Sequence, residues 1–333
     1  MNRTTAVKVV ALCASTMLAA TACGGEDVDF EESAEDDSEL ARKNTNSEDL
    51  SLPSLLDKNG FPLKEPLRGR KTISCDAVQN ESASKCNRMV DYVAGWYTRN
   101  SRGNLKLSRV KGRGDYHFKV DTSKRGNNVT VQSQFTKAVA VHEFGHKIGL
   151  THSIQWEKSN RVTDRKRPYL DETTPLNGHG SGSPYLAAPQ YYIKDWLPAR
   201  EVALYQKPDV YVLKKISDFE RPGRSVVIVT PRVWNRRNPN YGPSLYLSWP
   251  APAAGWKSPC RNPNTMKCVA IHSMNNLKGL ENTSKIATIN EGDEFYDDNG
   301  SRKARTGIHV KVLPSRDENF IKVQVDFATR SSR

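Results

Sequence analysis

The feature that most constrains this chain is the spacing of three histidines in the segment HEFGHKIGLTH, residues 142–152. His142 and His146 are four residues apart, so on a helix their side chains lie on one face and can share one metal ion. Gly149 tolerates the positive φ that a helix-ending turn requires, and that turn can bring His152 back to the same ion. The segment therefore predicts a helix, a sharp turn and a metal site with three imidazole ligands.

The ligand set also indicates which metal and which chemistry to expect. Three neutral imidazoles leave a fourth position open for water, which is typical of catalytic rather than structural zinc sites. Glu143 directly follows the first ligand, where its carboxylate can reach that water and act as a general base. We therefore expect one catalytic Zn2+ ion held by His142, His146 and His152, with Glu143 as the catalytic residue.

HExxHxxGxxH is the signature of the metzincin zinc peptidases, and two further stretches resemble the gametolysin family of metzincins. Residues 97–107 resemble the family's "Y…S-G-x-L-x-L" lead-in. Residues 186–197 are similar to its "NAPQ…LGW" segment, with Asp195 where glycine is usual. The resemblance covers residues 71–200. It implies a metalloendopeptidase acting on a protein or peptide, with its active-site helix below a mixed sheet.

The chain departs from the metzincin pattern in one respect. Metzincins place a methionine in a tight turn beneath the metal, yet no methionine occurs here between Met89 and Met266. We expect the turn within residues 178–185, GHGSGSPY. There His179 is a candidate substrate contact and Tyr185 a candidate hydrogen-bond donor to the oxyanion, although a core or surface tyrosine is the simpler interpretation.

Residues 1–22 have the pattern of a secretory signal peptide, since Arg3 and Lys8 are followed by an apolar run that ends in small residues. Cys23 comes next, an arrangement that resembles a bacterial lipobox. The prediction is a lipoprotein anchored by acylated Cys23 to the extracellular face of the bacterial cell membrane. The alternative is an ordinary secretory signal before an unmodified cysteine, which would give a secreted protein.

Residues 24–50 contain eleven acidic residues against Arg42 and Lys43, a net charge of −9. Such a segment buries too little apolar surface to offset the entropy of ordering, so we expect a disordered tether. We extend this linker region over residues 23–70. Its last part, residues 51–70, contains three prolines, and both a lead-in and a pro-segment remain open for it.

The formal net charge of +13 is unevenly distributed. Residues 1–22 carry +2 and residues 24–50 carry −9, so residues 51–333 carry +20. Basic residues cluster at 161–167, at Lys214-Lys215 and at Arg232, Arg236 and Arg237. One interpretation is attraction to anionic cell-envelope polymers, and the other is a solvated basic surface. We expect no nucleic-acid partner, because an exported chain rarely meets nucleic acid and no recognition motif is visible.

Four cysteines remain once residues 1–22 are removed and Cys23 is acylated. An even number in an exported protein favours disulfides. Among the three connectivities that four cysteines allow, we predict Cys75–Cys86 and Cys260–Cys268, which close short loops. A zinc site made of these cysteines would need CxxC spacing, which the chain lacks.

Local patterns divide the chain into two parts. Helical periodicity predicts helices over 86–100 and 134–148, the second with Ser133 as its N-cap. Short strands are predicted at 105–110, 116–120, 129–131, 209–213, 225–230, 244–248, 268–272, 307–312 and 320–326. We therefore expect an α+β fold. It consists of a metzincin-like zinc peptidase domain at 71–200 and an antiparallel β-sandwich-like domain at 201–333.

Two functions from different classes fit these observations. The first is a membrane-anchored, monomeric zinc metalloendopeptidase. The second is a non-catalytic surface-binding lipoprotein that retains a structural zinc. The presence of Glu143 favours the first, because a structural site has no need of a general base.

Overall fold

The computed structural model describes residues 57–59, 61–75, 83–119, 128–130, 136–157, 165–167, 171, 173–176, 184–230, 244–251, 260, 267–277, 280–297 and 308–327. All of them belong to one compact unit that spans Asn44–Arg333. The predicted signal peptide, Cys23 and the acidic tether lie outside the described residues. Within the described ranges, no helix is both long enough and apolar enough to cross a membrane.

The elements in chain order are helices α1–α3 and strands β1–β15. The helices are α1 (Ala83–Asn100), α2 (Lys137–Lys147) and α3 (Ala188–Ile193), with a 3-10 turn at Ala199–Glu201. The strands before α3 are β1 (Gly69–Cys75), β2 (Leu105–Arg109), β3 (Tyr116–Lys119), β4 (Asn128–Thr130), β5 (Ser153–Glu157) and β6 (Arg165–Arg167). Those after it are β7 (Val202–Leu204), β8 (Asp209–Lys214), β9 (Val226–Val229), β10 (Leu245–Ser248), β11 (Cys268–Leu277), β12 (Leu280–Asn290), β13 (Glu294–Asp297), β14 (Ile308–Leu313) and β15 (Phe320–Phe327).

The first sheet has the strand order β2-β1-β3-β4, and all its described pairings are parallel, whereas the family resemblance implied a mixed sheet. Parallel neighbours need a crossover connection, and α1 provides it between β1 and β2. The apolar positions Val90, Val93 and Tyr97 of α1 are buried in one core with Ile73 of β1. The sheet and α1 together form the framework on which α2 packs, because the Tyr97 hydroxyl donates to the Val141 carbonyl at 2.8 Å.

The second sheet is mixed, with seven strands in the order β6-β5-β12-β11-β10-β9-β7. Strands β9 to β12 are antiparallel, whereas β5 is a parallel neighbour of β12. Ser153 of β5 aligns with Thr283 of β12. This pairing brings the chain immediately after His152 against strands from the C-terminal third. The domain boundary at residue 200 stays a prediction.

Two apolar cores lie on opposite faces of the second sheet. Val226 and Ile228 of β9 belong to the core that contains α1, α2 and α3, whereas Val227 and Val229 belong to a second core. The third sheet, β13-β14-β15-β8, is antiparallel and supplies the other side of that second core. Because both of its faces are covered, β9 is apolar at every position instead of alternating.

The structure is mixed α+β and dominated by sheets, as predicted. All six strands predicted after residue 200 are present, as β8, β9, β10, β11, β14 and β15. Six strands were missed: β1, β5, β6, β7, β12 and β13. In β12 and β13, polar residues obscure the alternation. The predicted N-cap was wrong: α2 begins at Lys137, and the Thr136 hydroxyl accepts a hydrogen bond from the Val139 amide at 3.2 Å.

The described part of the lead-in is bonded to α3 and the turn after it. The Glu65 amide donates to the Ile193 carbonyl at 2.7 Å, and the Trp196 indole donates to the Leu67 carbonyl at 2.8 Å. The Tyr192 hydroxyl donates to the Pro62 carbonyl at 2.9 Å. Residues 61–69 therefore form part of the folded unit.

Candidate metal centre

The first two candidate ligands lie on α2, whose C-terminal end also sets the position of the third. The helix ends at Lys147, and Gly149 follows with φ of +77°, a conformation that glycine adopts without a steric penalty. The Leu150 amide donates back to the Gly145 carbonyl at 2.9 Å, which closes the turn. The chain is thereby redirected so that His152 faces the helix, as the sequence predicted.

The three histidines form one compact group. The Nε2 atoms of His142, His146 and His152 are all 3.0 Å from one another. His142 is buried, and the other two rings are half-buried. Among the described residues, this is the group of side chains that could hold a metal ion.

Backbone carbonyls fix the orientation of two of these rings. His142 Nδ1 lies 3.1 Å from the Pro175 carbonyl oxygen, and His146 Nδ1 lies 2.8 Å from the Leu150 carbonyl oxygen. A carbonyl can only accept, so each Nδ1 carries the proton and donates it. Each Nε2 therefore presents a lone pair to the centre of the group, which is the tautomer that a metal ligand requires.

This arrangement fits a metal ion better than a hydrogen-bonded cluster. With the protons of His142 and His146 on Nδ1, two unprotonated Nε2 atoms lie 3.0 Å apart with no proton between them. One cation at the centre would satisfy all three lone pairs at once. Nitrogens bound to tetrahedral zinc at about 2.0–2.1 Å lie about 3.3 Å apart, close to the observed separation.

Glu143 lies next to His142 on α2 and is half-buried. Its charge acts at the end of the helix: burial lowers the pKa of Lys147, and the Glu143 carboxylate opposes part of that shift. Glu143 is therefore a half-buried carboxylate on the helix that carries two of the three imidazoles.

A close approach of α2 to the 173–176 loop was missed at the sequence level. A Cβ atom on Gly145 would lie 2.5 Å from Leu176 Cδ2 and 2.9 Å from the Tyr97 hydroxyl. Any larger residue would push this loop away from the helix, and the loop carries the Pro175 carbonyl that holds His142. The glycine within the HExxH segment was a signal that could have suggested close packing.

The other histidines with described side chains lie elsewhere. His117 is buried, with Nδ1 2.8 Å from the Ser74 hydroxyl, and His309 contacts Glu294 on the outer face of the third sheet. His272 is buried against Asp171. His179 and most of the expected methionine-replacing turn lie outside the described residues. Tyr185 is described, and its ring packs edge-on at 6.4 Å from Phe219.

The predicted cysteine pairings are both present as neighbours. Cys260 and Cys268 form a disulfide with Cα atoms 5.5 Å apart, which confirms that pairing. Cys75, at the end of β1, meets Cys86 of α1 with Cα atoms 6.1 Å apart, within the range for a disulfide. A disulfide between Cys75 and Cys86 would link α1 covalently to the first sheet.

One part of the predicted basic surface was wrong. Lys214 is fully buried, with Nζ 3.2 Å from the Glu201 carboxylate. Lys215 is half-buried, and its Nζ lies 5.0 Å from the centre of the Trp249 ring. The sequence shows the charge of a lysine but not its ion partner, so a buried lysine was counted as surface. Arg232, Arg236 and Arg237 lie outside the described residues.

No protein-family model, curated protein or solved structure matches this chain.

Proposed function

We propose that the protein is an exported zinc metalloendopeptidase, with His142, His146 and His152 as metal ligands and Glu143 as the general base. The observation that carries the proposal is the convergence of three Nε2 atoms, 3.0 Å apart, immediately beside a glutamate on one helix. Imidazole suits several transition metals. Zinc is favoured because three imidazoles, an open position and an adjacent carboxylate form the donor set of hydrolytic zinc sites.

The chain's own residues account for binding and proton transfer. The three histidines would hold the ion through their Nε2 atoms. A bound zinc ion supplies Lewis acidity, which polarises a peptide carbonyl and makes water a stronger acid near neutral pH. A Glu143 carboxylate oxygen accepts the proton of the attacking water and then delivers it to the leaving amine nitrogen.

The architecture and location belong to the same proposal. We include in it a metzincin-like catalytic unit at 71–200, which supplies the first sheet, and a sandwich-like unit at 201–333, which supplies β7 to β15 of the other two sheets. Export as a lipoprotein acylated at Cys23 is supported by the signal-like residues 1–22 and by the disulfide Cys260–Cys268. Anionic cell-envelope polymers remain proposed partners of the basic chain.

Glu143→Gln in the full chain tests the proposal. We expect kcat for peptide cleavage to fall by about 10²–10⁴-fold while the zinc content stays at one ion per chain, because the carboxylate is not a ligand. Cleavage is measured by mass-spectrometric profiling of a peptide library with and without a chelator, and zinc by elemental analysis. Glu294→Gln, an exposed carboxylate on the third sheet, is the matched control and should leave both unchanged.

Two outcomes would contradict this assignment. Full residual cleavage in Glu143→Gln would remove its role as the base. A zinc-loaded wild-type chain that cleaves no peptide would favour the non-catalytic surface-binding lipoprotein instead.

A further inference from the structure

A buried carboxylate, Asp171, lies between the metal centre and the second sheet. Its side chain is fully buried. The Ser153 hydroxyl donates to Oδ2 at 2.5 Å, while the Thr173 amide and hydroxyl donate to Oδ1 at 2.9 and 2.6 Å. An ionised carboxylate is costly to bury unless basic groups lie close to it, in addition to its hydrogen-bond donors.

The balancing groups come from the C-terminal third of the chain. His272 Nε2 lies 3.1 Å from Asp171 Oδ2, and Lys285 Nζ lies 3.7 Å from Oδ1. His272 and Lys285 are register partners on β11 and β12, next to a register shift between Ile271 and His272. Such irregularities redirect side chains. Here the two basic groups meet the same carboxylate.

Asp171 is ionised in the folded chain. Burial raises its pKa, but attraction to His272 and Lys285 and the hydrogen bond from Ser153 outweigh that effect, so the pKa of Asp171 lies well below its usual range. An ionised carboxylate can only accept, so His272 donates from Nε2. The network is therefore a fixed set of donors around one negative charge.

The first link from Asp171 to the metal centre passes through Ser153. This serine follows His152 directly, and its amide donates to the Leu176 carbonyl at 2.9 Å. Its hydroxyl is held by Asp171 at the same time. Both bonds fix the peptide that carries the third imidazole.

The second link passes through the 173–176 loop. Asp171 holds the start of this loop through the amide and hydroxyl of Thr173. Two residues later, the Pro175 carbonyl accepts the proton of His142 Nδ1 at 3.1 Å. The same carboxylate thus sets the position of the carbonyl that orients the first imidazole.

The imidazole of His146, the middle of the three ligands, does not depend on this network. His146 Nδ1 donates to the Leu150 carbonyl, which belongs to the turn that ends α2. These two residues are only four positions apart in the sequence, so the end of α2 itself provides the contact. Asp171 therefore acts on two of the three ligands, one at each end of the 142–152 segment.

We propose that Asp171, balanced by His272 and Lys285, is a positioning residue of the metal centre, holding His142 and His152 in ligating orientation through Pro175 and Ser153. The proposal rests on the metal binding in the proposed function and is independent of peptide hydrolysis. It also makes strands β11 and β12 part of the support of the metal centre. Outer partners of metal-bound histidines typically contribute about 10–100-fold to metal affinity. We expect the lower end here, because Asp171 acts through intermediates.

A pair of serine variants tests the proposal in the full chain. Ser153→Ala removes one hydrogen bond to Asp171 and leaves the charges in place. Ser225→Ala is the matched control, because Ser225 is equally buried and its hydroxyl donates to another buried carboxylate, Glu201, at 2.6 Å. Zinc affinity is measured by competition with a chromophoric chelator, and folding by circular dichroism and thermal melting.

The expected result is an affinity for zinc about 10-fold weaker in Ser153→Ala and unchanged in Ser225→Ala, with similar small losses of melting temperature measured without metal. Equal affinities in the two variants would overturn the positioning role and leave the proposed function intact. Absence of zinc binding by the unaltered chain would overturn both.

Discussion

Asp171 and Glu201 are the buried acidic residues within the described parts of the chain, and their surroundings are alike. Each accepts a hydrogen bond from a fully buried serine, Ser153 at 2.5 Å or Ser225 at 2.6 Å. Each also faces two basic groups from other elements of the fold. The chemistry of the two sites therefore gives no indication of different roles.

Their positions differ. Glu201 joins Arg102, in the turn after α1, to Lys214 of β8, with Arg102 Nη1 at 2.5 Å and Lys214 Nζ at 3.2 Å. The guanidinium of Arg102 also lies 4.5 Å from the centre of the Phe219 ring. None of these groups adjoins the three histidines, whereas Asp171 is bonded to Ser153, the residue after His152. A buried ion network stabilises whatever it joins, and only one of these two joins the metal centre.

The largest expected effect comes from neutralising each carboxylate. Asp171→Asn and Glu201→Gln should each lower the free energy of unfolding by about 3–5 kcal/mol, because each leaves a buried lysine, Lys285 or Lys214, without its counter-charge. Only Asp171→Asn should also weaken zinc binding, by about 10-fold. Denaturant unfolding and chelator competition measure the two quantities. An equal loss of zinc affinity in Glu201→Gln would show that the effect follows from general destabilisation.

Protonating Asp171 and Glu201 at low pH should lower the free energy of unfolding less than these substitutions do, since a protonated carboxyl keeps some of its hydrogen bonds. The pKa of Glu201 is also lowered: burial raises it, but hydrogen bonds from Arg102 and Ser225 outweigh burial. A lowered folded-state pKa stabilises the protein above the unfolded value, about 4, and the stabilisation is lost as the pH falls through the folded value.

For metal-free protein, the free energy of unfolding should therefore fall steadily below pH 5. Urea unfolding at a series of pH values measures it. The decline should be shallower in Asp171→Asn, which no longer takes up that proton. A decline as steep as that of the wild type would mean that Asp171 is not the group being protonated.

The smallest expected effect concerns the contact between Gly145 of α2 and the 173–176 loop. Gly145→Ala should cost about 1–3 kcal/mol, because the added methyl group would lie 2.5 Å from Leu176 in the loop that Asp171 anchors. Gly95→Ala in α1 meets no atom within 4 Å and should stabilise the chain by about 1 kcal/mol. Thermal melting compares them. A neutral Gly145→Ala would show that the loop yields easily.

The local part of the candidate site could be predicted from the sequence. Spacing of four residues placed His142 and His146 on one helical face, and Gly149 marked the turn that returns His152. These features need only the geometry of one helix and one turn. Strands β8 to β11 were predicted equally well, because turn residues separate short runs of β-branched and aromatic side chains.

The support of the site could not be predicted in this way. Asp171 and His272 are 101 residues apart in the sequence, and no local pattern relates them. Lys214 was assigned to a basic surface although it is fully buried, since its partner Glu201 becomes a neighbour only when β8 and the 3-10 turn pack together. Which charges are buried depends on how the sheets assemble.

The sequence by itself determined which three imidazoles converge, which glutamate stands beside them and where the helix that carries them ends. Those properties follow from backbone geometry over eleven consecutive residues, 142–152. The tertiary structure alone decided which carbonyl orients His142, which carboxylate holds the peptide after His152, and that β11 and β12 supply the basic groups that face this carboxylate. Those contacts depend on packing between segments far apart in the chain.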